Sequence, residues 1–222
     1  MARKNVYCVF DTETIGIDKK WIYDLGLVIT HKTGQPLYTK RWIIEEVMNI
    51  PNIREIAYYG EKINTFYKNM EPVKFAFARE EFREIMRKFK VNIIVAYNLQ
   101  FDMSAIKQTL DFTGIGYKFL SDPCEYFDLW NASCNSFFQQ KSFKETATKQ
   151  GWVSKAGNFL TNAEVAYRFI TKDYQFKESH TALEDARIET IILQEIARQK
   201  KAVQKNQIIY HPWKKVQEKG IF

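Results

Sequence analysis

The chain has 222 residues, 45% hydrophobic and 27% charged, with a formal net charge of +7 at neutral pH. That length and balance suit one globular domain and exclude a disordered or collagen-like chain. Three cysteines (Cys8, Cys124, Cys134) without a close CxxC pair exclude a disulfide framework and a cysteine zinc cage.

No apolar run approaches a membrane span, and no signal-peptide pattern opens the chain. A reduced, intracellular (cytoplasmic) protein without a membrane partner is therefore expected. Its richness in Lys, Asn, Ile, Phe and Tyr fits an AT-rich genome, such as that of a phage or a low-GC bacterium.

Residues 5–10 are mostly β-branched or aromatic, which predicts a buried strand. A second strand is expected over 21–30 and a third over 36–45. The Thr33-Gly34-Gln35 turn between them makes this pair an antiparallel hairpin. Residues 46–77 are rich in aromatics and aperiodic. A helix over 79–90, an apolar strand over 91–96 and a helix over 99–112 imply a parallel crossover strand. A fifth strand near 124–129 and a largely helical last third, ending in a helix over 182–199, complete the pattern. The fold class is α/β: a mixed five-stranded sheet, its first three strands antiparallel and its crossover strands parallel, flanked by helices.

This domain is expected to occupy residues 1–199, with a basic tail over 200–222. From Arg198 onward the chain holds seven Lys and Arg against one Glu, a net +6, which leaves the rest at +1. With Tyr210 and Trp213, the tail suits a polyanion, a protein partner or plain solvation.

Carboxylates gather at predicted strand and helix ends. Asp11 and Glu13 alternate onto one face of the first strand, about 7 Å apart. Two acids on one face of a buried strand are costly unless something positive lies between them, and a divalent cation answers that cost. Asp102 falls in the first turn of the helix after the crossover strand, where the helix dipole alone also explains it. Thr181 with Glu184 reads as a capping box that starts the last helix near Ala182 and leaves His180 just outside. Asp185 opens the stripe Asp185, Ile188, Ile192, Ile196, which aims an acid at the core. Each acid has an ordinary structural reading: a loop pair, a cap, an acid at the stripe's edge. Jointly, however, they can converge on one point at the sheet's edge. There two divalent ions would activate water and stabilise a leaving oxygen, and a histidine would take the proton.

In Asp11-Thr12-Glu13-Thr14, Asn98-Leu99-Gln100-Phe101-Asp102 and His180-Thr181-Ala182-Leu183-Glu184-Asp185, the chain resembles the DEDDh family of 3′→5′ exonucleases. That group includes proofreading subunits and RNA-trimming enzymes. Ile22-Tyr23-Asp24-Leu25-Gly26 is similar to the family's second strand, with Asp24 where Glu is commoner, and Tyr97 stands where the family often has His. The resemblance implies a ribonuclease-H-like fold. It also implies two Mg²⁺ or Mn²⁺ ions, one held by Asp11, Glu13 and Asp185 and the other by Asp11 and Asp102. His180 would be the general base, and Thr12, Thr14, Ile15, Asn98 and Phe101 would contact the terminal nucleotide. The implied activity is release of nucleoside 5′-monophosphates from single-stranded DNA or RNA 3′ ends. Alternatives are a polymerase-associated proofreading or accessory subunit, a non-catalytic nucleic-acid-binding module, or an endonuclease of similar fold.

The aromatics Tyr58, Tyr59, Phe66, Tyr67, Phe75 and Phe77 read as core or as stacking faces for bases. Cys8 reads as a buried small hydrophobe and Asp128 as a helix cap.

Overall fold

A computed structural model of the protein describes residues 5–199 and 205–217. Its elements begin with β1 (Val6–Thr14), β2 (Ile22–His31), β3 (Tyr38–Ile44), α1 (Glu45–Met48), α2 (Ile53–Ile56) and α3 (Gly60–Thr65). There follow β4 (Pro72–Val73), α4 (Phe75–Lys88), β5 (Ile93–Ala96), α5 (Leu99–Thr113), β6 (Glu125–Asp128) and α6 (Leu129–Cys134). A 3₁₀ turn over Phe137–Gln139 leads to α7 (Lys141–Gln150), α8 (Ala163–Thr171), α9 (Ala182–Arg198) and α10 (Lys214–Gln217).

The strands form one sheet in the order β4-β3-β2-β1-β5-β6. The pairs β1–β2 and β2–β3 are antiparallel, while β1–β5, β5–β6 and β3–β4 are parallel. This is the ribonuclease-H-like arrangement with one strand more than the pattern predicts. The addition, β4, is two residues long and too short to leave a period. Its proline is tolerated because the strand is an edge.

Alternation along β1 separates two cores. Cys8 and Phe10 pack with α4 and α5 through Phe82, Ile106 and Leu110. Tyr7 and Val9 pack with α6 to α9 through Phe143, Phe169, Ile192 and Ile196. Each fully buried Val, Leu, Ile or Phe contributes about 1.5–3 kcal/mol, which is what allows the domain to carry buried acids.

Local chemistry sets several element ends. Gly34 takes the hairpin turn at φ 103°. Helix α4 starts four residues before the expected position, because the Glu46 carboxylate accepts the Phe75 N–H at 3.0 Å. Asp128 caps α6 by accepting the Asn131 N–H at 2.9 Å, and it also accepts the Leu99 N–H that opens α5. Cys8 is fully buried.

Helix α9 lies across β1 and β2, and two β2 residues seat its start. Gly26, opposite Asp11 in the ladder, leaves room where a Cβ would fall 2.3 Å from the Leu183 backbone nitrogen. Asp24 Oδ2 accepts the Ala182 N–H at 3.0 Å. The expected capping box is therefore corrected. The Thr181 side chain makes no capping bond, and Glu184 pairs with Arg187 at 2.6 Å. A buried carboxylate from the sheet, itself in need of donors, has taken the cap's place.

The C-terminal segment 205–217 returns to the domain. Lys205 pairs with Glu125 at 2.7 Å, and Asn206 exchanges hydrogen bonds with Tyr126 of β6. Val216 is buried in the second core and Gln217 bonds the Phe159 backbone. The rest of the expected basic tail, including Lys200, Lys201 and Lys219, lies outside the described residues. Among the described residues no helix is long and apolar enough to cross a membrane.

Candidate active site

Asp11 and Glu13 leave β1 on the face that looks toward α9, and Thr12 and Thr14 leave it on the other. On α9, Asp185 lies on the same buried stripe as Ile188, Ile192 and Ile196, all within 6% exposure. Glu13, His180 and Asp185 bring ligand atoms within 4.8 Å of one another. Asp102, buried in the first turn of α5, reaches the cluster from the opposite layer. The Thr12 hydroxyl donates to its Oδ1 at 2.7 Å, so Thr12 orients an acid. Among the charges acting on Asp11, that of Asp102 is the largest.

His180 sits at φ 49°, a left-handed conformation uncommon outside glycine. Three neighbours hold it there. Tyr59 stacks on the imidazole with centroids 4.5 Å apart and planes 13° from parallel. Lys62 Nζ donates to the His180 carbonyl at 3.1 Å and to that of Ser179. The Glu178 carboxylate lies 3.9 Å from Nδ1. Burial first, and the Lys62 charge second, hold the imidazole below its ordinary pKa, with Glu164 opposing.

The acids behave in the opposite sense. Burial, and then Asp102, Glu189, Asp185 and Glu13, push Asp11 well above the usual carboxylate range. Asp102 rises through burial, against its hydrogen bond from Thr12. Glu13 and Asp185 are both raised, chiefly by burial and also by each other's charge or that of neighbouring acids. Asp185 Oδ1 is buried without a hydrogen-bond partner. A set of clustered carboxylate oxygens with an orphaned buried acceptor fits a hard divalent ion.

Beside the cluster an open pocket of about 290 Å³ is walled by Glu13, Thr14, Ile17, Tyr58, Tyr59 and Phe101. Ile17 and Tyr58 are more than 70% exposed, and Lys20 lies 5.2 Å over the Phe101 ring. Ile15 does not line this pocket. Its side chain is buried in the first core, and Ile17 is the apolar residue at the rim. Asn98 stands in the left-handed conformation at the start of α5. Tyr97 donates its hydroxyl to the Thr161 carbonyl, within the second helical layer. The aromatic stretch divides: Tyr67 and Phe75 are core, while Tyr58, Phe66 and Phe77 are exposed. A larger pocket of about 390 Å³ lies at the other end of the strands, near Asn5, Asn92 and Cys124, which precede β1, β5 and β6, and contains none of these groups.

Sequence reasoning missed Glu189, Glu178 and Lys62 as parts of this environment, and read Tyr59 as core or as a stacking face for a base, whereas it stacks on His180. Glu189 follows Asp185 by one helical turn, a spacing that could have found it.

No protein-family model matches the chain, and no curated protein does. Solved structures do. Exonuclease I from Methylocaldum szegediense is similar at 15% identity and a TM-score of 0.51, over 88% of this chain and 41% of that one. E. coli exonuclease I in complex with a dA16 oligonucleotide gives 11% and 0.54, over 89% of this chain and 41% of that one. Cell-death related nuclease 4 (CRN-4) gives 13% and 0.57, over 91% of this chain and 67% of that one. This chain thus spans under half of each exonuclease I chain. At these identities the likeness is one of fold, and that fold is DEDDh-exonuclease-like.

Proposed function

We propose that the chain is a metal-dependent 3′→5′ exonuclease, a phosphodiester hydrolase that frees nucleoside 5′-monophosphates from single-stranded nucleic-acid 3′ ends. The observation that carries this reading is the convergence of Glu13, His180 and Asp185 within 4.8 Å. They meet at the end of β1, with Asp11 and Asp102 in the same field of charge. Residues 1–199 would form the exonuclease domain. The oligonucleotide in the E. coli exonuclease I complex supports a single strand as substrate.

Asp11, Glu13, Asp102 and Asp185 would hold two Mg²⁺ or Mn²⁺ ions, since carboxylate oxygens suit hard cations. Such ions, when bound, supply positive charge to the phosphodiester and acidify the attacking water. The remaining work belongs to the chain. Phe101 and Tyr58 offer faces on which a terminal base stacks, and Thr14 and Ile17 complete the wall. Nδ1 of His180 faces Glu178, which leaves Nε2 to take the proton of the attacking water. As that oxygen bonds to phosphorus, the P–O3′ bond breaks, and the departing O3′ takes up a proton from solvent, so that the shortened strand ends in a 3′-hydroxyl. A depressed imidazole pKa suits the role, because the base must be neutral at working pH.

Product analysis on matched DNA and RNA oligomers, labelled at either end, tests the reading with Mg²⁺ or Mn²⁺ and with chelator. Stepwise shortening of 5′-labelled strands with release of 3′-labelled mononucleotide is expected, and loss of both in chelator. Cleavage of circular single strands, or undiminished hydrolysis in excess chelator, would overturn it.

A further inference from the structure

Glu189 is only 2% exposed. It stands four residues after Asp185 on α9, so both carboxylates leave one face of the helix. Its Oε2 has no hydrogen-bond partner; the backbone N–H of Tyr97 is the donor it does meet. The charges that act on it most are Asp102 and then Asp185. In turn, Glu189 is second only to Asp102 among the charges acting on Asp11. One turn after Asp185 on the buried stripe of α9, which packs across β1, Glu189 lies on the face of the sheet that also carries Asp11 and Glu13.

Packing does not explain an acid there. An apolar residue continuing the stripe of Ile188 and Ile192 would avoid a desolvation penalty of roughly several kcal/mol. Nearby cations do not explain it either. Arg41 faces Asp24, and Lys62 is bonded to the carbonyls of Ser179 and His180. A buried acceptor with a free oxygen, aimed into a cluster of carboxylates, is what a bound cation would satisfy.

We propose that Glu189 is a fifth carboxylate ligand of the metal centre, on the side shared by Asp11 and Asp102. The inference rests on the metal-binding reading of the other four acids. It has a consequence of its own. The ion on the Asp11–Asp102 side gains a further protein ligand, so it binds before any phosphodiester arrives to complete its shell.

The test is titration of the full-length chain with Mn²⁺ in the absence of nucleic acid, by calorimetry and by counting free Mn²⁺ in solution. The wild type is expected to take up both ions of a two-metal site. Glu189→Gln keeps the shape and removes the charge. It should retain one ion and weaken the other by about tenfold or more, as loss of a metal-supporting group typically does. Glu189→Asp, charged but shorter, should fall between. The metal-free melting temperature of Glu189→Gln, expected at or above that of wild type, shows that the loss is not one of folding. A Glu189→Gln chain that binds Mn²⁺ with wild-type stoichiometry and affinity overturns the assignment. Asp11→Ala separates the two levels: if it binds less metal while Glu189→Gln does not, only the fifth ligand fails. If Asp11→Ala also binds as wild type, the metal centre itself fails.

Discussion

His180 shows how much a single side chain owes to distant residues. Its left-handed backbone is strained by about 1–3 kcal/mol in ordinary cases, and the Tyr59 stack and the Lys62 bonds keep it there. The same burial and the same lysine depress its proton affinity, so the neutral imidazole prevails at neutral pH. As general base, His180→Ala should lower turnover by about 10²–10⁴, with substrate affinity nearly unchanged. Single-turnover cleavage measured against pH checks this: the wild-type rate should rise through the histidine's pKa, and the variant should lose that limb. A defect that disappears at saturating metal would instead make His180 a ligand, which its distance of under 4.8 Å from Glu13 and Asp185 permits. The five residues Asp11, Glu13, Asp102, His180 and Asp185 were legible in the sequence because each stands at a strand or helix end marked by its neighbours. Glu189 could have been found one helical turn after Asp185, but nothing else in the sequence sets it apart from any glutamate of a long helix, and packing shows which way it faces. Tyr59 and Lys62 lie in an aperiodic stretch, and Lys62 meets His180 across 118 positions of chain.

At the scale of elements, the seating of α9 decides whether the acids meet. Asp24 is fully buried, accepts from Ala182 and from Tyr67 at 2.7 Å, and faces Arg41 Nε at 3.3 Å. Burial lifts its carboxyl to about 6, against the opposing effects of Arg41, Tyr67 and Ala182. The folded state therefore binds this proton more tightly than the unfolded chain does. The group's contribution to stability declines as pH rises from the ordinary carboxylate value through about 6, and is constant above it. Arg41→Met leaves the ionised carboxylate uncompensated and should cost about 3–5 kcal/mol at neutral pH. The deficit should shrink on acidification, because protonation removes the unpaired charge. Urea melts of both proteins on either side of that pKa would show it, and an equal deficit at both pH values would mean that Arg41 matters only for packing. The strand alternation and the β2–β3 hairpin were readable because they are local. The start of α9 at Ala182 was readable too, but its cap was not: Thr181 and Glu184 have capping spacing, yet the donor is satisfied by an acid 158 residues away.

For the whole molecule, two apolar layers support a charged end that opposes folding when it is empty. Asp11, Glu13, Asp102, Asp185 and Glu189 are all pushed upward, by burial before anything else. If these acids hold metal as proposed, its uptake would release protons, and its effect on stability would grow as pH rises. A divalent ion at 100 times its dissociation constant stabilises the fold by about 2.7 kcal/mol. That should raise the melting temperature by about 5–11 °C for a chain of this size, more in alkaline than in acidic buffer. Asp11→Ala removes the carboxylate on which the repulsion of the others converges. In chelator its melting temperature should equal or exceed that of the wild type, because one buried charge is gone from a repelling set. In Mn²⁺ it should show little of the wild-type rise. Thermal melts of the two proteins, with and without Mn²⁺ at two pH values, decide the matter. If Asp11→Ala unfolds, the acid is a structural element of β1. If it gains as much from Mn²⁺ as the wild type does, the ion sits elsewhere and the charged end of the sheet has some other purpose.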